Sequence, residues 1–193
     1  MTPPDAAQMA SDPDAPRRRI DARRNQERVI ATARELFTEQ GLQVTVPQVA
    51  ERAGVGRATV YRSYPRKEDL IIAVVREQFQ ELEQRTNAAL DGADAYRELC
   101  SYVPDLFERL ARDRVLADVF FEGRLLPAAR ILNQIGRLVA AAGASGLIRP
   151  DVDERDIRVI LCGAVRQLIV LDQREPAVWR RYADMVLNAL RPA

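Results

Sequence analysis

The sequence contains no histidine and a single lysine, Lys67, among its 193 residues. The absence of histidine removes the commonest general base and the commonest metal ligand of proteins. The two cysteines, Cys100 and Cys162, lie far apart and form no Cys-x-x-Cys pair, which indicates reduced thiols rather than a zinc site. We therefore expect no metal, no cofactor and no enzymatic activity. Carboxylate-only chemistry stays open, although no feature of the sequence points to it.

Long apolar runs are also missing. The longest nearly unbroken run of small and apolar residues, 138–148, is too short to span a bilayer and is interrupted by glycines. The first sixteen residues lack the apolar centre of a secretion signal, and their four prolines predict a disordered tail over 1–16. We therefore expect a soluble, cytoplasmic protein with no membrane contact.

Charge is distributed unevenly along the chain, although the net charge is only +1. Residues 16–66 hold eleven arginines against five acidic residues, whereas residues 67–193 hold eighteen basic and twenty acidic residues. A basic N-terminal third on a near-neutral chain indicates a localised contact with a polyanion. A solvated basic surface is the alternative interpretation.

Helical periodicity runs through the whole sequence and predicts an all-α fold. In the first helix, about 21–40, the apolar residues Val29, Ile30, Ala33, Leu36 and Phe37 form one stripe, and arginines precede it. Further helices are predicted at about 67–90, 95–111, 114–121, 125–142, 154–172 and 176–190, with Asp153 as an N-cap.

Two short helices with a glycine-containing turn are predicted within residues 44–70, VTVPQVAERAGVGRATVYRSYPRKEDL. Thr45 is a good N-cap for the first helix, and Gly54 supplies the positive φ that ends it. The second helix begins near Arg57 and turns Val60 and Tyr64 inward. This pattern is typical of a helix-turn-helix, whose second helix lies in the major groove of DNA. The outward face then carries Arg57, Ala58, Thr59, Arg62 and Ser63, with Tyr61 at its edge.

The residue types on this face suit DNA recognition. Arginine makes bidentate contacts to guanine, and a small residue such as Ala58 allows close approach to a thymine methyl group. Thr59 and Tyr61 carry hydroxyls that reach phosphates and fix the register. Lys67 stands at the start of the next helix, where its ammonium and the free backbone N–H groups suit a phosphate. Partial core packing is the alternative role for Tyr61.

The same stretch resembles the DNA-binding domain of the TetR/AcrR family, whose pattern runs T-x-x-x-I/V-A-x-x-A-G-V-S-x-x-T-L/V-Y-x-H-F-x-x-K-x-x-L. The resemblance covers about residues 20–80. It implies phosphate contacts from Thr45, Tyr61 and Lys67. Three departures are Gly56 in place of serine, Ser63 in place of histidine, and Pro47 in the first motif helix. The resulting DNA-binding set is Thr45, Gln48, Gly56, Arg57, Ala58, Thr59, Tyr61, Arg62, Ser63 and Lys67.

The resemblance also implies a division into a three-helix DNA-binding domain at 17–66, with its motif at about 45–64, and a helical regulatory domain at 67–193. In the family, the C-terminal helices hold a small ligand and form the dimer. Ligand-binding residues are predicted as Phe79, Tyr102, Phe107, Phe120 and Phe121. Dimer contacts are predicted as Ile160, Ala164, Leu168, Trp179, Tyr182 and Val186. Core packing within one chain is the alternative for both sets, because apolar residues at helical spacing usually face the core.

The function implied is that of a dimeric transcriptional regulator, most simply a repressor that binds a palindromic DNA operator and is released by an unidentified small-molecule effector. A helical interaction protein that uses the same hairpin without DNA, and an enzyme on a helical scaffold, are the alternatives. The sequence leaves open the effector, the operator, the regulated genes, and activation as opposed to repression.

Overall fold

The computed structural model describes residues 15–122 and 126–192, and over these residues the chain is helical without strands, which confirms the all-α prediction. The helices are α1 (Ala15–Gln40), α2 (Val46–Arg52), α3 (Arg57–Ser63), α4 (Lys67–Leu90), α5 (Ala95–Arg112), α6 (Arg114–Glu122), α7 (Leu126–Gly143), α8 (Glu154–Val170) and α9 (Pro176–Ala189), with a 3₁₀ turn at Gly41–Gln43. None of the helices described is long and apolar enough to cross a bilayer.

Helix α1 starts at Ala15, six residues before the predicted start at Asp21. Residues 1–14 of the predicted tail lie outside the described residues. The predicted N-cap of α8 is confirmed: the carboxylate of Asp153 accepts a hydrogen bond from Asp156 N at 2.9 Å, and Asp156 accepts one from Asp153 N at 3.0 Å. Two backbone amides that the helix itself leaves unpaired are thus satisfied.

The first three helices pack on one another, and α1 also packs against α4. Val29, Ala33, Leu36 and Phe37 of α1 are buried, as the predicted stripe requires, together with Val49 of α2 and residues of α3 and α4. The buried cluster continues without a break from this end of the molecule into the C-terminal helices. Helix α4 therefore connects the N-terminal helices with the C-terminal helices, since it packs on α1 as well as on α5 and α7.

The C-terminal helices form a bundle in which α5 packs along α9 and α7 lies against α4, α5 and α8. The rings of Phe107 and Trp179 meet edge to face, with centroids 6.2 Å apart. The indole Nε1 of Trp179 donates to the carbonyl of Gln173 at 3.0 Å, so the polar end of this large side chain is satisfied as well. Aromatic packing thereby fixes α9 to the centre of the bundle.

One arginine connects the N-terminal helices to the bundle. Arg34 of α1 donates to Asp113 Oδ2 at 3.3 Å, to Gln78 Oε1 at 3.1 Å and to the carbonyl of Val74. Asp113 is the single residue between α5 and α6, and its other oxygen accepts from Leu116 N at 3.0 Å. The Asp113 carboxylate therefore caps α6 and holds α1 at the same time.

Candidate nucleic-acid interface

The helix-turn-helix is built from α2, α3 and the turn between them. Gln48 Oε1 accepts hydrogen bonds from both the backbone N and the hydroxyl of Thr45, each at 2.8 Å, which fixes the start of α2. Gly54 has φ +61°, a left-handed conformation that favours glycine and ends α2. Val55 N then donates to the carbonyl of Ala50 at 3.0 Å, and the Val55 side chain packs on the core. The turn thus fixes where α3 begins.

Helix α3 presents the face that the sequence predicts. Val60 and Tyr64 are buried, which confirms their inward orientation, while Arg57, Ala58, Tyr61, Arg62 and Ser63 are exposed and Thr59 is half-buried. Tyr61 keeps 44% of its surface exposed, so core packing is not its main role. Gly56 gives α3 no side-chain cap, and its carbonyl accepts from the backbone N of Thr59 at 2.9 Å.

The arginines of this motif differ in how far they are neutralised. Arg52 of α2 contacts Glu39 at 3.2 Å, and Arg66 contacts Asp69 at 2.8 Å. The hydrogen bond from Arg66 lowers the pKa of the Asp69 carboxyl below its usual value. Within the described residues, the guanidinium groups of Arg57 and Arg62 have no carboxylate at salt-bridge distance. Of these four arginines, the two left available for an external anion are therefore those on the outer face of α3.

Lys67 has a structural partner. It is half-buried, and its Nζ donates to the backbone carbonyl of Leu42 in the 3₁₀ turn, which joins the start of α4 to the end of α1. The carboxylate of Asp69 accepts from Arg66 N at 3.0 Å and so already caps α4, where the sequence predicts a phosphate. Lys67 has two further N–H donors. Its phosphate contact stays a prediction, and its packing role is an addition that the sequence did not indicate.

The hydroxyl of Tyr64 is buried and has no hydrogen-bond partner among the described residues. A buried polar atom without a partner costs about 1–3 kcal/mol. We therefore expect Tyr64→Phe to raise the free energy of unfolding by about 1 kcal/mol, measured by urea denaturation, because the ring keeps its packing. Tyr61→Phe, which changes an exposed tyrosine, is the control and should leave stability unchanged. A destabilised Tyr64→Phe chain would show that the hydroxyl does have a partner in solution.

Four of the five predicted ligand-binding aromatics, Phe79, Tyr102, Phe107 and Phe120, are buried in the core. Phe121 is half-buried, with the guanidinium of Arg166 4.8 Å from its ring centre. Tyr102 OH and Thr86 Oγ1 share a buried hydrogen bond at 2.7 Å, and burial raises the pKa of Tyr102 to about 12. Of this set, Phe79 lines a pocket of about 130 Å³ between α4 and α7, whose wall consists of Ile72, Arg76, Phe79, Gln80, Glu83, Pro127, Arg130 and Ile131.

The six predicted dimer contacts fall into two groups. Leu168, Trp179 and Val186 are buried inside the chain and so have almost no surface left for a partner. Helix α8 is apolar nearly all round, and the inward side of such a helix cannot be identified from its pattern alone. Ile160, Ala164 and Tyr182 are half-buried. The large apolar side chains that remain exposed on α8, at its C-terminal end and on α9 are Val159, Val170, Leu171 and Met185.

Among the described residues, no group of three or more histidine, cysteine, aspartate or glutamate side chains is arranged to hold a metal ion. Cys100 and Cys162 are free thiols, both partly exposed, and burial raises the pKa of the Cys162 thiol.

Comparison with known proteins places these features in a family. The family model described as bacterial regulatory proteins, tetR family, matches residues 29–74. The HTH-type transcriptional regulator BetI of Brucella anthropi is 36% identical over 75 residues, which cover 39% of each chain. The HTH-type transcriptional repressor KstR of Mycolicibacterium smegmatis is 26% identical over 122 residues, 61% of this chain and 60% of the relative. The chain thus matches less than two thirds of the length of either relative.

Solved structures extend the similarity to most of the chain. The TetR transcriptional regulator SCO0520 from Streptomyces coelicolor is 27% identical with a TM-score of 0.53, over 87% of this chain and 99% of that one. The fold is also that of the transcriptional regulator FadR from Bacillus subtilis, solved in complex with stearoyl-CoA, with 24% identity, a TM-score of 0.63 and coverage of 86% and 99%. The helix-turn-helix, the family match over it and the helical bundle behind it together show that residues 29–74 are a tetR-family DNA-binding domain, in a chain with the fold of TetR-family transcriptional regulators.

Proposed function

We propose that this TetR-family regulator is a repressor that binds a palindromic operator as a dimer and releases it when a small molecule binds. The observation that carries the proposal is which arginines of the helix-turn-helix have a carboxylate partner and which do not. Arg57 and Arg62 project from the exposed face of α3 without carboxylate partners among the described residues, whereas Arg52 and Arg66 beside them are neutralised. A major groove supplies the acceptors that such unpaired guanidinium groups need.

The roles of the cationic side chains are separable by mutation. We expect Arg57→Ala to relax base preference at one position of each half-site, because a bidentate contact to guanine contributes about 1–3 kcal/mol of discrimination. Lys67→Ala should weaken binding to all sequences alike, because it removes a cation and the hydrogen bond to Leu42 without removing a base contact. The measurement is selection from a randomised duplex pool, followed by titration of the selected and scrambled duplexes at two salt concentrations.

Arg52→Ala is the matched control for this experiment. Its guanidinium is already neutralised by Glu39 and lies on α2, so base preference should stay at the wild-type level. Equal losses on every duplex for Arg57→Ala and Lys67→Ala would overturn the division of roles. Failure of the wild-type chain to select any duplex at low salt would overturn the DNA-binding function itself and favour an interaction hairpin.

For the dimer we propose the solvent face of α8 together with α9. Val159, Gly163 and Val170 recur at spacings of four and seven residues and therefore share one side of α8. This side lies opposite Ile157, Leu161 and Leu168, which point into the core. Val159 and Val170 are each about two-thirds exposed, at 65% and 66%, and Met185 of α9 is half exposed. A second copy covers such a self-complementary surface through a two-fold axis.

Gly163 supports a close approach of helices at the centre of this face. Glycine inside an exposed helix costs about 1 kcal/mol relative to alanine. An added Cβ at Gly163 would meet nothing within 4 Å in the chain itself, so packing within the chain gives no reason for glycine there. A second α8 crossing at this point does give one, since a residue without a side chain lets two backbones come closest.

For the effector we propose the pocket between α4 and α7. Its floor is apolar, with Ile72, Phe79 and Ile131, and its rim carries Arg76 and Arg130. The ion pair between Arg130 and Glu83, at 3.1 Å, spans the pocket wall. An apolar cavity with cations at its rim suits an amphipathic anion, and its volume of about 130 Å³ favours a small one. The operator duplex selected above provides the assay: an effector releases the duplex and raises the melting temperature of the free protein.

A further inference from the structure

Helix α1 extends far beyond the part that packs on the core. Among its described side chains, which begin at residue 20, the first buried one is Val29; over residues 20–28 every residue is exposed except Asn25, which is half-buried. Residues 15–28, here called the basic arm, span almost four helical turns and about 21 Å at 1.5 Å per residue. The family match begins only at residue 29, so the arm is not part of the domain that the family model describes.

The composition of the basic arm is unfavourable for a helix standing alone. It holds six arginines, at positions 17, 18, 19, 23, 24 and 28, against Asp21 and Glu27. Its first turn contains no acidic residue, although the helix dipole favours anions at that end. A helix without an apolar face depends on a partner or on side-chain pairs for its stability. The arm has one such ion pair among its described side chains, between Arg23 and Glu27 at 2.9 Å.

The basic arm runs beside the recognition helix. Ala22, Asn25 and Gln26 of the arm form one wall of a hollow of about 160 Å³, and Thr59, Arg62 and Ser63 of α3 form the other. Arg24 and Arg28 lie four residues apart and share one helical face, which lies beside Asp21 and Ala31 and not on the wall that meets α3. Arg28 donates to Asn25 Oδ1 at 2.8 Å, and Arg24 has no carboxylate at salt-bridge distance among the described residues. The arm thus places two further cations beside the recognition helix, on a side of α1 that does not itself meet α3.

We infer that the basic arm is a second DNA contact, which binds the phosphates that flank the base pairs read by α3. The inference rests on the proposed DNA-binding function and extends it to residues outside the family domain. Double-stranded DNA fits the arm better than any small anion, because its arginines are spread along a helix of about 21 Å that runs beside the proposed recognition helix. Such contacts carry no sequence information, so the arm raises affinity and fixes orientation without changing base preference.

The test compares the wild-type chain with the double variant Arg24→Gln/Arg28→Gln, since glutamine keeps helix propensity and removes the charge. Each is titrated over a salt series against two forms of the selected duplex: one with about ten flanking base pairs on each side, and one cut at the ends of the half-sites. We expect the slope of log K against log salt to become shallower by about 0.9 for each phosphate that the arm no longer neutralises, or about 1.8 per subunit, on the long duplex only.

The control is Arg137→Gln/Arg191→Gln, which makes the same change in net charge at two exposed positions far along the chain, one on α7 and one just after α9. Equal slopes for wild type and arm variant on the long duplex, or an equal change in the control, would overturn the inference. So would loss of binding to phosphatidylserine vesicles by the arm variant with unchanged DNA slopes, which would make the arm a membrane contact. If Arg57→Ala still relaxes base preference in that case, the proposed function stands and the arm inference alone fails.

Discussion

A chain carrying Val159→Glu is expected to be a monomer and to bind its full operator at least about 100-fold more weakly than the wild type. The two-fold axis of the proposed dimer brings the same face of α8 from each copy together, so each carboxylate would be buried against an apolar surface. In a dimer, binding to one half-site holds the second subunit close to the other half-site. This effect typically raises the affinity by a factor of about 10²–10⁴, and a monomer loses it. Sedimentation velocity and operator titration measure the two effects.

Circular dichroism and two further substitutions distinguish loss of the dimer from misfolding. Val159 is mostly exposed in the single chain, so the helical circular dichroism of Val159→Glu should match that of the wild type. Val159→Ile keeps an apolar side chain and should keep the dimer. Gly163→Ala should weaken association while adding helix propensity of up to about 1 kcal/mol to the monomer. Persistence of the dimer in Val159→Glu would place the subunit contact elsewhere.

The helix-turn-helix was predictable because its signals are local. Gly54 must end a helix with positive φ, and Val60 and Tyr64 lie one turn apart, so their burial follows from the spacing of residues within ten positions. The predicted start of α1 lies six residues too late because that prediction also depended on local signals. The basic arm has no apolar stripe, and the prediction relied on that stripe to recognise the helix.

The missed features depend on residues that are distant in sequence. Trp179 is buried because it meets Phe107 of α5, and the amphipathic pattern of α9 is the same whether the partner is α5 or a second subunit. Neutralisation is equally non-local: Arg52 is neutralised by Glu39 and Lys67 bonds to the carbonyl of Leu42, whereas Arg57 has no such partner among the described residues. The composition reveals the excess of arginine in the N-terminal third, but only the fold shows which of these arginines have no carboxylate partner and can bind DNA.

Asp113→Ala is expected to lower the free energy of unfolding by about 2–3 kcal/mol, measured by urea denaturation. One part, about 1 kcal/mol, is loss of the cap on α6, since Asp113 Oδ1 accepts from Leu116 N. The remainder is loss of the charged hydrogen bond to Arg34, reduced because the side chain of Arg34 is still 36% exposed. For a chain of this size the melting temperature should fall by about 5–10 °C.

Asp113→Asn distinguishes the two parts, because asparagine caps a helix as well as aspartate but does not carry the charge that pairs with Arg34. Asp113→Asn should lower the free energy of unfolding only by the part due to the ion pair. Arg34→Met should then lower the free energy of unfolding less in the Asp113→Asn chain than in the wild type. Additive losses would mean that Arg34 acts only through Gln78 and Val74. Coupled losses would mean that α6 holds α1 through this one carboxylate, so that a shift of α6 is felt by the helix that carries the basic arm.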